Sequence, residues 1–206
     1  MTIGTAEGGN CLPFSCSGRL GYGAFQQAYA ASSFSGFGKV LISSFKIFRN
    51  APGTLETSTY KLSFSTSRNP VGSLSTTYAN NVGPDSSVFG TYNLGGAIQP
   101  ITDFVGTTPF LYDPAAGDLL LNVEVLSAAN DGNAAYFVSQ LSNSSLLERV
   151  FGPAPVGYLA VTSGSLVTEF TFEKAVASVP APLPLFGVAA GFTASRRIRK
   201  RLKATN

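Results

Sequence analysis

The stretch Thr59-Tyr-Lys-Leu-Ser-Phe-Ser-Thr66 decides the fold class of this chain. Large apolar side chains alternate in it with polar ones, a period of two that is typical of a β-strand with one buried face. The side chains predicted to face the core are Tyr60, Leu62 and Phe64, and those predicted to face outward are Lys61, Ser63 and Ser65.

Similar short runs recur along the chain. In Asp118-Leu-Leu-Leu-Asn-Val-Glu-Val-Leu126, the alternation places Leu119, Leu121, Val123 and Val125 on one face. The other predicted strands cover residues 39–48, 87–94, 98–105, 134–141 and 166–172. Seven or eight strands separated by Gly, Pro, Asn and Asp predict an all-β fold, an antiparallel β-sandwich of jelly-roll type. Residues 24–30 are predicted to form one short helical turn.

The length of 206 residues suits one domain with an appendage. Residues 178–206 carry six of the 14 Lys and Arg residues and none of the 11 acids, so the rest of the chain has eight cations and a net charge of −3. A mildly acidic body with a basic end argues against a nucleic-acid-binding domain. It favours contact of the basic end with a membrane surface.

Four residues separate the two cysteines, Cys11 and Cys16, near the N-terminus. This spacing permits a disulfide in an oxidising compartment. Two alternatives stay open, a pair of free thiols and a zinc site. Since the chain has no His and no third Cys, zinc would need carboxylate ligands.

The last 30 residues combine prolines, an apolar run and a basic cluster. We expect a body of residues 1–175, a proline-rich linker of 176–184 and a C-terminal segment of 183–203. The apolar run 183–194 is shorter than the roughly 18 residues that span a membrane. A helix from Pro184 through Arg201 would lengthen it, because arginine stems can extend toward the interface. The positive-inside rule then places the cations in the cytoplasm and the body outside.

This arrangement resembles the PEP-CTERM sorting signal, in its Pro-x-Pro-Leu-Pro variety. Ala181 stands where the name-giving pattern has Glu. The sorting motif would be Val179, Pro180, Ala181, Pro182, Leu183 and Pro184. The membrane segment would be Leu185, Phe186, Gly187, Val188, Ala189, Ala190, Gly191 and Phe192. The cytoplasmic basic cluster would be Arg196, Arg197, Arg199, Lys200, Arg201 and Lys203.

The resemblance implies an exported bacterial envelope protein whose tail is recognised by an exosortase-type membrane enzyme. The alternatives are a plain C-terminal anchor and a basic interaction tail. The stretch Met1-Thr-Ile-Gly-Thr-Ala-Glu-Gly-Gly9 lacks the features of a signal peptide. We expect a leader upstream of it, which a truncated chain or a misplaced translation start would leave out of this sequence. Export by another route is the alternative. Tyr112-Asp-Pro-Ala-Ala-Gly-Asp-Leu-Leu-Leu-Asn-Val123 also resembles a loop-into-strand segment of small secreted proteins that carry this signal.

The absence of His excludes Ser-His-Asp and Cys-His catalysis. Paired carboxylates, as in glycoside hydrolases, are the surviving catalytic option. The candidates are Asp113, Asp118, Glu124 and Glu169. The alternative interpretation is that they are solvated acids of loops and outer strand faces.

Structural calcium and sugar stacking are two further possibilities. Oxygen ligands for calcium occur in Asn130-Asp-Gly-Asn133, in Asn80-Asn-Val-Gly-Pro-Asp85 and in the pair Asp113 and Asp118, although turns also favour these residues. Four tyrosines in predicted loops are candidates for stacking on sugars: Tyr22, Tyr29, Tyr78 and Tyr158. The alternative, which we favour, is that they are exposed without a ligand.

The sequence thus predicts an exported envelope or extracellular-matrix protein that is not an enzyme, has no catalytic residues, and acts structurally or by binding polysaccharide. We expect no cofactor and no metal other than the calcium just described. The alternatives are an envelope enzyme that acts on glycans and a membrane-tethered adhesin that binds another protein.

Overall fold

The computed structural model describes residues 1–17, 21, 23–133 and 135–175. Met1–Ala175 form one compact unit. The predicted C-terminal helix, the sorting motif and the basic cluster lie outside the described residues. Within the described part the fold is all-β, with two antiparallel sheets packed as a sandwich.

The first sheet has seven strands in the order β1-β13-β4-β9-β12, with β7 paired to β4 and β2 paired to β9. Their bounds are β1 Thr2–Ile3, β2 Gly8–Asn10, β4 Val40–Ala51, β7 Ile101–Tyr112, β9 Tyr136–Gln140, β12 Ser165–Leu166 and β13 Thr168–Lys174.

The second sheet has six strands in the order β11-β10-β3-β8-β5-β6. Their bounds are β3 Ala24–Tyr29, β5 Thr54–Thr66, β6 Ser87–Ala97, β8 Leu119–Ala128, β10 Leu147–Gly152 and β11 Leu159–Val161. In the described residues, 3₁₀ turns cover Ala31–Phe34, Tyr78–Asn80 and Pro114–Ala116.

Aromatic rings fill the space between the two sheets. Phe45 of β4 stacks on Phe104 of β7 with ring centroids 4.7 Å apart, and it meets Phe64 of β5 edge to face at 5.7 Å. Tyr60, Leu62 and Phe64 are fully buried, so the predicted inward face of β5 is confirmed. The alternating aromatic residues therefore form the sandwich core.

Part of the outer face of the second sheet is also covered, which the sequence pattern did not predict. Ser63 and Ser65, predicted to face solvent, are only 6% and 2% exposed. The covering segment is residues 67–86, the connection between β5 and β6, which we call the cover loop. It closes a second apolar cluster formed by Ala24, Ala28, Leu74, Tyr78, Leu120 and Val150.

Two carboxylates tie the cover loop to the sandwich. Asp118 Oδ2 accepts a hydrogen bond from the amide of Val71 at 2.7 Å. Glu148 Oε2 accepts from the amides of Gly72 at 2.7 Å and Leu74 at 3.0 Å. Since a bond to a charged acceptor is among the stronger protein hydrogen bonds, these contacts fix the loop over the sheet.

The predicted helical turn at residues 24–30 is wrong, because Ala24–Tyr29 form strand β3. This strand lies between β10 and β8, and all six of its residues are buried. Both of its faces are covered, one by the core and one by the cover loop, so its sequence does not alternate between polar and apolar residues. Strands β1, β2, β10 and β11 were likewise absent from the prediction.

Among residues 1–17, 21, 23–133 and 135–175, no helix has the length and apolar character needed to cross a membrane.

Cys11 and Cys16 form a disulfide, one of the three states left open by the sequence. The loop that they close points into the sandwich, because Leu12, Phe14 and Cys16 are all buried. The disulfide thus secures a piece of the hydrophobic core.

Reduction of this disulfide is expected to lower the free energy of unfolding by about 2 kcal/mol, because it reopens a short loop in the unfolded chain. Urea unfolding with and without dithiothreitol measures the change. The double variant C11A/C16A is the control, since its stability should not respond to the reductant. An equal response of both proteins would contradict the prediction.

Candidate functional site

A groove of about 470 Å³ lies on the outer face of the second sheet, beside the cover loop. Its volume falls within the range of roughly 300–1,000 Å³ typical of small-ligand sites. Strands β3 and β8, the cover loop and the β10–β11 connection line it, with the residues Gly23, Ala24, Gln26, Tyr78, Ala79, Val82, Asn122, Glu124, Val125, Leu126, Ala154 and Pro155.

The outer face of β8 explains where the groove opens. Alternation places Leu120, Asn122, Glu124 and Leu126 on the same side of the sheet. Leu120 is fully buried beneath the cover loop, Asn122 and Glu124 are half-buried, and Leu126 is 55% exposed. The groove therefore begins where the cover loop ends, with polar side chains on its floor.

A chain of amides sets the orientation of these polar groups. Gln26 Nε2 donates to the carbonyl of Tyr78 at 3.1 Å and to Asn122 Oδ1 at 2.9 Å. Asn81 Nδ2 donates to Gln26 Oε1 at 2.8 Å. A backbone carbonyl can only accept, so the nitrogen of Gln26 must face Tyr78. This contact fixes Gln26, which in turn holds the oxygen of Asn122.

The nitrogen of Asn122 consequently points toward Glu124. Asn122 Nδ2 donates to Glu124 Oε1 over a long distance of 3.4 Å, while Lys61 Nζ lies 2.9 Å from Glu124 Oε2. An amide donor and a carboxylate acceptor thus lie side by side on the groove floor. Such a pair can bind a ligand that both donates and accepts hydrogen bonds.

Of the four candidate carboxylates, only Glu124 lines the groove. Asp113 caps the turn Pro114–Ala116 by accepting from the amide of Ala115 at 3.0 Å, and its carboxylate lies 3.2 Å from Lys39 Nζ. The Ala115 amide, with the help of Lys39, lowers the pKa of Asp113. Asp113 therefore stabilises a turn.

The other two carboxylates have different partners again. Asp118 accepts from the amides of Ala31 at 2.8 Å and Val71, which joins two loops. Glu169 pairs with Lys46 at 3.7 Å on the first sheet. The four acids are thus distributed over separate structural contacts.

The predicted calcium loops use their carboxylates to hold neighbouring strands. Asp131 accepts from the hydroxyl and the amide of Thr57, both at 2.7 Å, and these bonds lower its pKa. Asp85 accepts from the amide of Thr66 at 2.9 Å and from its hydroxyl at 2.7 Å. No group of three or more Cys, Asp or Glu side chains able to hold a metal ion occurs in the described part of the chain.

The tyrosines predicted for sugar stacking have different environments. Tyr29 lies in β3 rather than in a loop and is fully buried, which raises the pKa of its hydroxyl. Tyr78 is 7% exposed, and its hydroxyl donates to the carbonyl of Ala24 at 3.0 Å. Tyr158 is 63% exposed. The residue before Tyr158 is Gly157, whose backbone lies close to Tyr78 in the groove lining: a Cβ atom added to Gly157 would be 2.9 Å from the Tyr78 hydroxyl. The backbone that leads into Tyr158 therefore lies beside the groove. Tyr22 is outside the described residues.

The sequence interpretation missed Gln26 and Asn122. Two consecutive glutamines inside a run of apolar residues were the available signal, because buried amides require partners. Those partners are 52 and 96 positions away along the chain.

The chain matches no model of a known protein family, and neither the curated proteins nor the solved structures include one similar to it.

Proposed function

We propose that this protein is an exported component of a bacterial cell envelope or extracellular matrix that binds polysaccharide without catalysing a reaction. The groove beside the cover loop carries the proposal, because it combines apolar walls with an oriented amide and carboxylate. Binding sites for small polar ligands have this composition. The other three candidate carboxylates make separate structural contacts, which supports a non-catalytic role.

Export and sorting form the second part of the proposal. The Cys11–Cys16 disulfide is consistent with an oxidising location outside the cytoplasm. The C-terminal resemblance to a PEP-CTERM signal supports recognition of residues 179–184 by an exosortase-type enzyme. The jelly-roll connectivity of the body and a helical membrane segment at residues 185–192 belong to this same proposal.

Binding is tested by isothermal titration calorimetry of the full chain against a panel of neutral and acidic oligosaccharides. We expect heat of binding with at least one of them. The same titrations are repeated with Leu126→Asp, because Leu126 is an exposed wall of the groove and its substitution should not unfold the protein. Absence of binding to every member of the panel would overturn the proposed function.

Sorting is tested in a bacterium that has an exosortase. The double variant P180A/P182A should retain its C-terminal tail and should be lost from the processed, surface-located fraction, as judged by mass spectrometry and cell fractionation. Pro109→Ala, at an exposed position of β7, is the matched control and should be processed normally. Normal processing of P180A/P182A would contradict the sorting role.

A further inference from the structure

The charges around the groove restrict the class of sugar that it can take. Among the described lining residues, Glu124 is the one with a formal charge at neutral pH. Its partner Lys61 is not part of the lining, and the ion pair occupies one carboxylate oxygen. The body as a whole has a net charge of −3. A uronate or sulfated sugar would bring a second negative charge next to Glu124, which costs free energy in a half-buried site.

The geometry of the floor restricts the ligand further. The amide of Asn122 and the carboxylate of Glu124 come from positions i and i+2 of one strand, so both point to the same side of the sheet. One presents an N–H donor and the other an acceptor oxygen. Two neighbouring hydroxyl groups on a sugar ring match this pair, since one hydroxyl can accept from the amide while the next donates to the carboxylate.

Gln26 also lines the groove, but its role is to position this pair, because both ends of its amide are bound within the protein. Its nitrogen is held by the carbonyl of Tyr78, and its oxygen by Asn81. Rotation of the Asn122 amide would turn its nitrogen toward the nitrogen of Gln26 and lose a 2.9 Å hydrogen bond. The donor on the groove floor is therefore preorganised, which lowers the entropic cost of binding.

The walls of the groove are apolar and suit the C–H face of a sugar ring. Val82 comes from the cover loop, Leu126 from β8, and Pro155 from the β10–β11 connection. Burial of C–H groups against such walls adds free energy of binding in proportion to the area removed from water.

Resting on the proposed function, we infer that the groove binds a neutral sugar residue, with Asn122 and Glu124 bridging two neighbouring hydroxyl groups. Acidic sugars are disfavoured, because their charge would lie next to the carboxylate of Glu124, which Lys61 balances only from outside the groove lining. The ligand class is thus a neutral polysaccharide segment, defined by a ring with vicinal hydroxyls.

The test is a titration of the full chain with neutral oligosaccharides, such as gluco-, galacto- and manno-hexaoses, and with alginate and polygalacturonate hexamers. We expect binding to a neutral member, and E124Q should weaken it about tenfold or more, because a charge-assisted hydrogen bond is lost. L126D should weaken it as well. The matched control is E169Q, which removes a carboxylate of similar exposure from a Lys–Glu pair on the other sheet and should leave the affinity unchanged.

Each other outcome has a definite meaning. Binding of only the acidic hexamers would overturn the inference and leave polysaccharide binding in place. Binding of a neutral hexamer that neither E124Q nor L126D alters would also overturn the inference, because the binding site would then lie elsewhere. Failure of both classes to bind would overturn the proposed function itself.

Discussion

Replacement of Phe14 by Ala lowers the free energy of unfolding by about 3–5 kcal/mol. The ring of Phe14 is 1% exposed and is surrounded by three others. Its centroid lies 4.9 Å from that of Tyr60, 5.1 Å from Phe104 and 5.8 Å from Phe137. These neighbours belong to both sheets, so the cavity left by Ala would open in the middle of the sandwich.

The disulfide loop cannot collapse into that cavity. Ser15 Oγ donates to the carbonyl of Thr54 at 2.9 Å, and the amide of Glu56 donates to the carbonyl of Phe14 at 3.0 Å. The backbone on either side of the ring is thus held in place. We therefore expect an effect near the upper end of the range, since the cost of a cavity rises with its residual volume.

Urea unfolding followed by circular dichroism measures the effect. Phe37→Ala is the control, because Phe37 is 40% exposed and its ring packs on Phe172 at the margin of the core. It should lose about 1 kcal/mol or less. A loss for Phe14→Ala no larger than the loss for Phe37→Ala would show that the ring does not organise the core.

Glu148→Ala is expected to cost roughly 2–4 kcal/mol, because the amides of Gly72 and Leu74 lose the carboxylate oxygen that both of them share. Glu148 itself is only 4% exposed. The cover loop should then open locally before the sandwich unfolds. Hydrogen exchange at Gly72 and Leu74 and limited proteolysis within residues 67–86 measure that opening.

Glu148→Gln is the matched variant for this prediction. It keeps a side-chain oxygen that can accept from both amides, so it should lose less stability than the Ala variant and should protect the loop from protease. Asp103→Asn, at an exposed position of β7, should change stability by less than about 0.5 kcal/mol. Equal protease sensitivity of Glu148→Ala and the unmodified protein would refute the role of Glu148 as the tie of the cover loop.

The cover loop and the groove are physically linked. Tyr78 belongs to the loop, and its carbonyl fixes the orientation of Gln26 and, through it, of Asn122. Release of the loop in Glu148→Ala should therefore weaken oligosaccharide binding even though Glu148 does not line the groove.

The sequence predicts those strands in which one face is more deeply buried than the other. In β5 and β8 the alternation of large apolar and polar side chains marks the face that packs on the core. Strand β3 could not be predicted in this way, because all six of its residues are buried. In β10, Glu148 faces the cover loop on the outer side of the sheet and is buried there. A charged residue normally indicates an exposed position, so the sequence does not reveal that this strand is buried.

The candidate site likewise contains some residues that the sequence identifies and others that it does not. Glu124 was recognisable as an outward carboxylate on a strand. Its donor partner Asn122 and the fixing contact from Gln26 were not recognisable, because hydrogen-bond geometry depends on the pairing of β3 with β8. The loop position predicted for Tyr29 was wrong, because Tyr29 lies in the buried strand β3, and burial beneath other segments leaves no local trace in the sequence.

By itself, the sequence determined the all-β class, the inward faces of the longest strands and the concentration of positive charge at the C-terminal end. Each of these depends on residues close together in the chain, whose side chains alternate or accumulate locally. Only the tertiary structure decided that the 67–86 segment covers the second sheet, that turn acids such as Asp118 join distant loops, and that a polar groove opens beside Glu124. Those features require contacts between residues tens of positions apart, and their free energy exists only once the sheets have formed.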